Sequence, residues 1–262
     1  MPATVALRDG CLIVGLSGEE LDELADAAAG KASRHNLAAA LVQGGAWGTT
    51  VAATMFAAQA AGIRVFSTGG IGGVHRGAER SLDVSADLDE LARSEVAVVC
   101  SGPKAILDVR ATIEALETRG VPVIGLGTTE LPGFWSRESG LPVPISARDE
   151  DEVAAIAIQH WALGLATGLL VAVPVPEADA LPRAESARAI GQALNEAEAA
   201  GRTGPAATPW LLGRIAALTH GRSVAANEAL ILHNAGVAAR LAIAIAEIGS
   251  AEIGSADMEA GR

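Results

Sequence analysis

Short apolar runs alternate with longer helical patterns along most of this chain, and that alternation limits the possible folds more than any other feature. Four runs are rich in Val, Ile and Leu and have the length of buried strands. They are Arg64–Ser67, Val96–Cys100, Val121–Gly125 and Leu169–Val173. Because helical patterns separate them, we predict an α/β fold with a mostly parallel sheet covered by helices on both faces.

The helix signals between these runs are caps and 3.6-residue periodicity. Ser17 and Glu20 have the spacing of a capping box, which predicts a helix that opens there and extends to Ala29. Thr49 and Thr50 are candidate caps for the next helix. The remaining helices are predicted at Val51–Ala61, Asp87–Arg93, Ala105–Thr118, Glu152–Leu163, Glu185–Ala200, Pro209–Leu218 and Val224–Ile248.

The length of 262 residues suits one large domain, which we predict over residues 1–245. Residues 246–262 begin with a repeated Ala-Glu-Ile-Gly-Ser-Ala sequence. We predict a frayed helix end followed by disorder in this low-complexity tail.

Charge and cysteine usage indicate the compartment and exclude some ligands. The net charge of −12 argues against nucleic acid, whose phosphates need a basic surface. The uncharged stretch Ala154–Pro176 imitates a membrane span, but its glycines and prolines favour a helix followed by a buried strand. No secretory pattern is visible, and we expect Cys11 and Cys100 to be buried thiols in a reducing compartment. The predicted location is therefore cytoplasmic, away from membranes.

Lysine is almost absent from the chain, and this makes its two lysines informative. Of 19 basic residues, 17 are Arg, and the others are Lys31 and Lys104. Arg serves wherever a generic cation is enough, but its guanidinium stays protonated and forms no Schiff base. Lys104 also follows a predicted central strand, at the carboxyl edge where α/β sheets bind ligands. We therefore predict that Lys104 is a working primary amine, although two surface lysines that survived by chance are the alternative.

The segment Thr68–Gly77 contains five glycines after a predicted strand, together with His75 and Arg76. Such a loop can point backbone N–H groups at an anion, and His75 and Arg76 add donors suited to phosphate. It matches neither the dinucleotide fingerprint nor the Walker A loop. A tight glycine turn without a ligand remains an equal alternative.

Asp83, Ser85 and Asp87 alternate just beyond that loop. In an extended segment they would share one side and could hold a divalent cation or sugar hydroxyls. Helix capping is the competing interpretation, since Asp and Ser are ordinary caps. His160 and His220 lack partners at zinc spacing, and no triad base accompanies Ser101.

Taken in order, these segments closely resemble the pseudouridine-5′-phosphate glycosidase family, also called indigoidine synthase A-like. The Gly-Gly-Ile-Gly-Gly-Val-His-Arg-Gly-Ala-Glu sequence is the most specific part of the resemblance. The matching segments are Gly48–Met55, Thr68–Glu79, Asp83–Leu88, Val98–Asp108 and Thr208–Leu212.

The resemblance implies a three-layer α/β/α fold, a homotrimer and a manganese-dependent, reversible cleavage of the C–C bond between uracil and ribose 5-phosphate. It assigns Lys104 as the amine that forms a Schiff base at C1′ of the ring-opened sugar, and Asp83 as the Mn²⁺ ligand. The substrate contacts that it implies, with His75 added as a phosphate donor, are Lys31, Val51, His75, Ser85, Ala86, Asp87 and Asn227.

The chain also departs from the family pattern. Family members carry an acid glutamate on a strand before the segment that matches Pro2–Thr4, and no residue of this sequence matches it. Without that acid we expect sugar-phosphate binding with weak cleavage, since general acid catalysis contributes roughly 10²–10⁴-fold. His35, Trp47 and Val173 differ from the family residues near the site, which leaves the aglycone open. A C-glycosynthase acting on another aglycone and a non-catalytic sugar-phosphate-binding paralogue are the alternative functions.

Overall fold

The computed structural model describes residues 2–202 and 207–260, with side chains described up to residue 249. Its elements alternate along the chain as the apolar runs indicate. The strands are β1 Val5–Arg8, β2 Cys11–Val14, β3 Gly30–Ala32, β4 Ala46–Thr49, β5 Val65–Ser67, β6 Ala97–Cys100, β7 Val123–Leu126, β8 Ile145–Ala147 and β9 Leu169–Ala172. The α-helices are α1 Gly18–Asp26, α2 Leu37–Gln43, α3 Val51–Ala60, α4 Ala78–Ser81, α5 Ala86–Leu91, α6 Val109–Thr118, α7 Glu150–Ala162, α8 Arg183–Ala199, α9 Ala207–Leu218 and α10 Arg222–Ala260.

The strands form two sheets. A five-stranded sheet has the order β5-β6-β9-β7-β8, and every neighbouring pair in it is parallel. A four-stranded mixed sheet has the order β2-β1-β4-β3, in which β1 is antiparallel to both neighbours and β3 is parallel to β4. The predicted α/β class with a mostly parallel sheet is confirmed, and the smaller sheet is an addition that the patterns did not indicate.

Helices cover both faces of the large sheet, because side chains of a strand point to alternate faces. On one face Val98 and Leu170 pack with Met55 of α3, Leu88 of α5 and Leu116 of α6. On the other face the alternate residues of the same strands pack against α7 and α10, including Val99, Val171, Ala154, Ala157 and Leu241. The three-layer α/β/α arrangement follows directly from these two apolar clusters.

The predicted element boundaries shift where a cap sets them. The Ser17–Glu20 capping box is present, and α1 ends at Asp26 rather than Ala29. The helix predicted from Ala105 begins at Val109, because the Asp108 side chain accepts from the backbone N–H of Ala111 and caps it there. Residues 104–108 therefore form a turn, and Lys104 lies on a loop rather than a helix.

Two other expectations concern burial. The stretch Ala154–Pro176 forms the end of α7 followed by β9, as predicted. Cys100 is buried, but Cys11 is exposed, so the prediction of two buried thiols is wrong for Cys11. The reason is that Cys11 begins β2, which lies at the edge of the small sheet and pairs with β1 alone.

The last helix, α10, is both long and apolar. Within the described residues, its segment Arg222–Gly249 is the one stretch long and apolar enough to cross a membrane, judged by length and composition. One side of it, including Val237 and Leu241, packs against the large sheet, which accounts for its apolar character there. The predicted disorder of the tail stays a prediction, and residues 261–262 of that tail lie outside the described residues.

Candidate active site

The carboxyl edge of the large sheet gathers the segments that the sequence singled out. The glycine-rich segment leaves this edge after β5, and the segment that carries Lys104 leaves it after the neighbouring strand β6. The Ile71 N–H donates to the carbonyl of Gly102, and the Lys104 N–H donates to the carbonyl of Ile71. These backbone hydrogen bonds join the two loops and fix the main chain at Lys104.

The Lys104 side chain is partly buried, and its charge state reflects that position. Burial lowers the pKa of the Lys104 amine below its ordinary value, and the nearby Asp87 carboxylate opposes that shift. The positive charge of Lys31 lowers this pKa further, which shows that both lysines of the chain lie in one electrostatic neighbourhood. A larger share of the neutral amine at physiological pH makes Lys104 a better nucleophile.

Cys100, at the end of β6, is the thiol nearest in sequence to Lys104. Burial raises the pKa of the Cys100 thiol to about 12, so the thiolate does not form at neutral pH. Lys104 therefore has no competing sulfur nucleophile at the end of this strand.

Asp87 links α3 to the glycine-rich segment through its buried carboxylate. This side chain is 5% exposed, and its carboxylate accepts from the backbone N–H groups of Ala52, at the start of α3, and Gly72. Ser85 caps α5 by accepting from the Asp87 N–H, as the capping interpretation of the alternating segment predicted. Asp83 and Ser85 lie in an extended segment, whereas Asp87 has already entered the helix, so the three residues do not continue one strand.

The glycine-rich segment is shaped as much by packing as by any ligand. Several of its N–H groups bond inside the protein: Gly72 to Asp87, Val74 to the Thr112 hydroxyl, and His75 to the Asp83 carbonyl. Fewer donors remain for an anion than the glycine count indicates. A side chain on Gly72 would meet the Ser85 hydroxyl and lie 2.8 Å from Asp87 Oδ2, so glycine is needed there for close approach.

We expect Gly72→Ala to destabilise the protein by about 1–3 kcal/mol, because the added methyl group forces α5 and the loop apart. Equilibrium urea unfolding measures this change. Gly191→Ala is the matched control, since an added methyl group at Gly191 in α8 has no neighbour within 4 Å. Alanine there should stabilise the helix by about 0.5–1 kcal/mol. Equal stability of the Gly72 variant and the wild type would contradict the close approach.

The remaining predicted contacts lie on four separate elements. Lys31 is exposed in β3, where the Asn36 side-chain amide donates to its carbonyl, and Val51 begins α3. Ala86 begins α5 beside Ser85. Asn227 on α10 reaches the first glycine of the loop, where a Cβ on Gly69 would lie 3.6 Å from its Oδ1 atom.

Asp83 and His75 form a second, more exposed group. His75 Nδ1 lies 3.8 Å from Asp83 Oδ2, and both side chains are about one third exposed, at 32% and 38%. Among the described residues, no group of three or more His, Cys, Asp or Glu side chains is arranged to hold a metal ion. A metal at Asp83 would therefore need water or substrate for most of its ligands.

Two of the three residues that depart from the family pattern, Trp47 and Val173, have packing roles. Trp47 contacts Gly30 with its ring and donates from its indole N–H to the Gly44 carbonyl. Val173 is buried after β9, and its N–H donates to the Cys100 carbonyl. His35 is exposed.

Two residues of this region were missed by sequence reasoning. Asn234 is a fully buried amide beneath the two loops, and Phe134 packs over Gly70 with a positive φ of 67°. Asn234 lies seven residues after Asn227, on the same side of a helix, and that spacing was the available signal.

Fold and site together define a class: an α/β enzyme that presents a partly desolvated lysine amine at the carboxyl edge of a parallel sheet. Comparison with known proteins is more specific. The indigoidine synthase A-like family model matches residues 1–244, and the chain belongs to that family.

Relatives in this family are close over most of their length. The chain is 55% identical over 249 residues to the pseudouridine-5′-phosphate glycosidase of Paracoccus denitrificans, covering 94% of this chain and 82% of that protein. It is 54% identical over 246 residues to the enzyme of that name from Methylobacterium nodulans, covering 94% and 73% of the two chains.

Solved structures agree with the fold. The crystal structure of the prealnumycin C-glycosynthase in complex with ribulose 5-phosphate superposes with a TM-score of 0.90 at 37% identity, over 95% of this chain and 83% of that one. An indigoidine synthase A-like protein from Thermotoga maritima superposes with a TM-score of 0.84 at 37% identity, over 92% and 79%.

Proposed function

We propose that this chain is a pseudouridine-5′-phosphate glycosidase that reversibly cleaves the C–C bond between uracil and ribose 5-phosphate. The observation that carries the proposal is the partly buried Lys104 amine, whose pKa is lowered by burial and by Lys31, at the carboxyl edge of the sheet. Relatives at 50–55% identity bear this enzyme name.

Lys104 acts as a covalent nucleophile toward the sugar. The amine bonds to C1′ of the sugar as the ring C1′–O4′ bond breaks and O4′ takes the amine proton. The nitrogen lone pair then forms the C1′=N bond while the C1′–C5 bond breaks and C5 of uracil takes a proton from water. Water hydrolyses the iminium, releases ribose 5-phosphate and returns that proton and the free amine.

We assign the sugar phosphate to Lys31, which is exposed, and to His75, whose side chain is 32% exposed. Ser85, Ala86 and Asp87 at the start of α5, with Val51 and Asn227, line the rest of the substrate position. Asp87 acts through its buried carboxylate, which already accepts two backbone N–H groups.

We propose that Mn²⁺ binds at Asp83. A single, partly exposed carboxylate suits a divalent ion that keeps several waters and takes other ligands from the substrate. Such an ion would supply positive charge beside the sugar phosphate.

A homotrimer and a cytoplasmic location complete the proposal. The side of α10 that faces away from the sheet exposes Leu232 and Ile243, which offer an apolar surface for subunit contact. Sedimentation equilibrium is the direct measurement of the trimer.

The proposed function is tested by measuring uracil release from pseudouridine 5′-phosphate in the presence of Mn²⁺. Chromatography detects the products. Uracil and ribose 5-phosphate formed together, even at a low rate, with loss of both in Lys104→Met, support the proposal. Binding of the nucleotide without uracil release would favour the non-catalytic paralogue. Ribose 5-phosphate joined to a different aglycone, with uracil ignored in both directions, would favour the C-glycosynthase.

We expect Lys31→Ala to weaken ribose 5-phosphate binding by about 10- to 100-fold, since a charge-assisted hydrogen bond is lost. Binding of unphosphorylated ribose should change far less. The same substitution removes a positive charge beside Lys104, so the pH profile of imine formation should move to higher pH.

Lys31→Arg is the matched control for the electrostatic effect, because it keeps the charge and should leave that profile in place. Calorimetry with both sugars measures the affinities. Equal losses for ribose and ribose 5-phosphate would remove Lys31 from the phosphate position.

A further inference from the structure

A buried asparagine lies beneath the two loops that form the site. Asn234 of α10 is 0% exposed, and its side-chain amide donates to the Thr68 carbonyl at 3.0 Å and to the Ser101 hydroxyl at 3.2 Å. Ser101 is also 0% exposed. A buried cluster of polar groups therefore joins the last helix to the carboxyl edge of the sheet.

The partners of Asn234 stand where the two loops start. Thr68 directly follows β5 and begins the glycine-rich segment, and Ser101 directly follows β6, three residues before Lys104. The Ser101 N–H donates to the Gly69 carbonyl at 2.9 Å, which links the two loop starts to each other. The backbone bonds between Ile71, Gly102 and Lys104 continue this ladder as far as the main chain of Lys104. Asn234 thus fixes the base of the ladder that ends at Lys104.

The same helix carries Asn227 two turns earlier. A spacing of seven residues puts Asn227 and Asn234 on one side of α10, and Asn227 lies next to Gly69. The rotation and height of α10 relative to the loops therefore decide where the Asn227 side chain reaches. Asn234 is a buried hydrogen-bonding contact between α10 and the starts of both loops.

Packing alone does not require an amide at this position. The neighbouring buried residues of α10, Val237 and Leu241, belong to an apolar cluster with strands of the large sheet. A buried amide is costly unless it is hydrogen-bonded, and its net contribution to stability is small even when it is. What the polar contacts add is a single geometry between helix and loops.

We infer that Asn234 is a positioning residue for the reaction, acting through Thr68 and Ser101 on Lys104 and through α10 on Asn227. The inference rests on the proposed function for its kinetic consequence. Its structural consequence, a fixed and partly desolvated Lys104, can be measured without any turnover.

The experiment compares Asn234→Ala with Leu241→Ala in the full chain. Leu241 is a matched control because it is 0% exposed on the same helix and packs against the sheet without a hydrogen bond to either loop. The first readout is the pH dependence of Lys104 labelling by an amine-reactive reagent, followed by peptide mass mapping. The second is kcat and KM for uracil release, and the third is the thermal midpoint.

We expect Asn234→Ala to lower kcat by about 10- to 100-fold with KM changed by less than about threefold, because misplacement by 1 Å can cost that much. The labelling profile of Lys104 should move to higher pH, since a loosened loop admits water to the amine. Leu241→Ala should lower the thermal midpoint at least as much and leave both the labelling profile and kcat near the wild-type values.

The inference is overturned if the two variants lose kcat in proportion to their thermal midpoints, or if Lys104 labels in Asn234→Ala as it does in the wild type. If Asn234→Ala fails to fold, Ser101→Ala tests the inference instead. That substitution removes one hydrogen-bond partner of Asn234 and leaves α10 unchanged in sequence. An unchanged profile and kcat in Ser101→Ala would then overturn it. Absence of uracil release by the wild type overturns the proposed function instead, and the labelling profile alone then decides the inference.

Discussion

Lys104→Arg is expected to lower uracil release by at least ~10⁴-fold, because removing a covalent nucleophile costs enzymes losses of this order. Arginine keeps the positive charge and most of the length of the side chain, but its guanidinium does not form an imine. The expected loss is therefore in kcat, with substrate affinity changed little. Steady-state kinetics and calorimetry with ribose 5-phosphate separate the two effects.

Arg148→Lys is the control for arginine–lysine exchange on this chain. Arg148 is 83% exposed on its side chain and pairs with Glu152, far from the loops in sequence. That exchange should leave kcat unchanged. If Lys104→Arg retained more than about a tenth of the wild-type kcat, the covalent role of Lys104 would be wrong.

The second large effect is on stability and concerns the ion pair between Arg34 and Glu90. Glu90 is a buried carboxylate of α5, its side chain 1% exposed, and it bonds to Arg34 at 2.5 Å and to the Ser94 hydroxyl. The Arg34 guanidinium also lies 5.7 Å from the centre of the Phe56 ring. The pair ties the end of the small sheet, just after Lys31, to the helix that carries Asp87.

We expect Arg34→Ala to lower the free energy of unfolding by about 3 kcal/mol, because it leaves the Glu90 carboxylate buried without its cation. Denaturant unfolding at neutral pH measures this. The double substitution Arg34→Ala with Glu90→Gln should recover much of the loss, since the uncompensated charge is gone. Arg148→Ala, which breaks an exposed pair, should cost less than about 1 kcal/mol. Equal losses for Arg34→Ala and Arg148→Ala would contradict the role of burial.

The large sheet could be predicted from sequence because its strands are continuous apolar runs between helices. Val96–Cys100 and Leu169–Val173 pack on both faces, so neither needs an alternating pattern to be recognised. The small sheet escaped prediction for the opposite reason. Its strand β3 has three residues, Gly30–Ala32, and its register depends on pairing with β4 rather than on local preference.

Some residues of the site could likewise be predicted from the sequence, and others could not. The scarcity of lysine singled out Lys104 and Lys31 without any structure, and the structure brings both into one electrostatic neighbourhood. No sequence pattern indicated the contacts between distant parts of the chain. Arg34 and Glu90 are 56 residues apart, and Asn234 and Thr68 are 166 apart, so only folding pairs them.

The sequence pattern singled out Asp87 but indicated only part of its role. Its alternation with Asp83 and Ser85 indicated a shared face for a cation or a sugar. In the structure the helix begins between Ser85 and Asp87, and both Asp87 oxygens accept backbone N–H groups. A local pattern identifies the residue, while the partners of its carboxylate come from α3 and the glycine-rich segment.

The central claim is that Lys104 forms an imine with the sugar phosphate, and borohydride trapping tests it most directly. The protein would be incubated with millimolar ribose 5-phosphate, reduced, digested and mapped by mass spectrometry. We predict a stable adduct on the peptide that contains Lys104 and none on the peptide that contains Lys31, with trapping lost in Lys104→Arg. An adduct confined to Lys31, or no adduct at all while the sugar phosphate binds, would contradict the account.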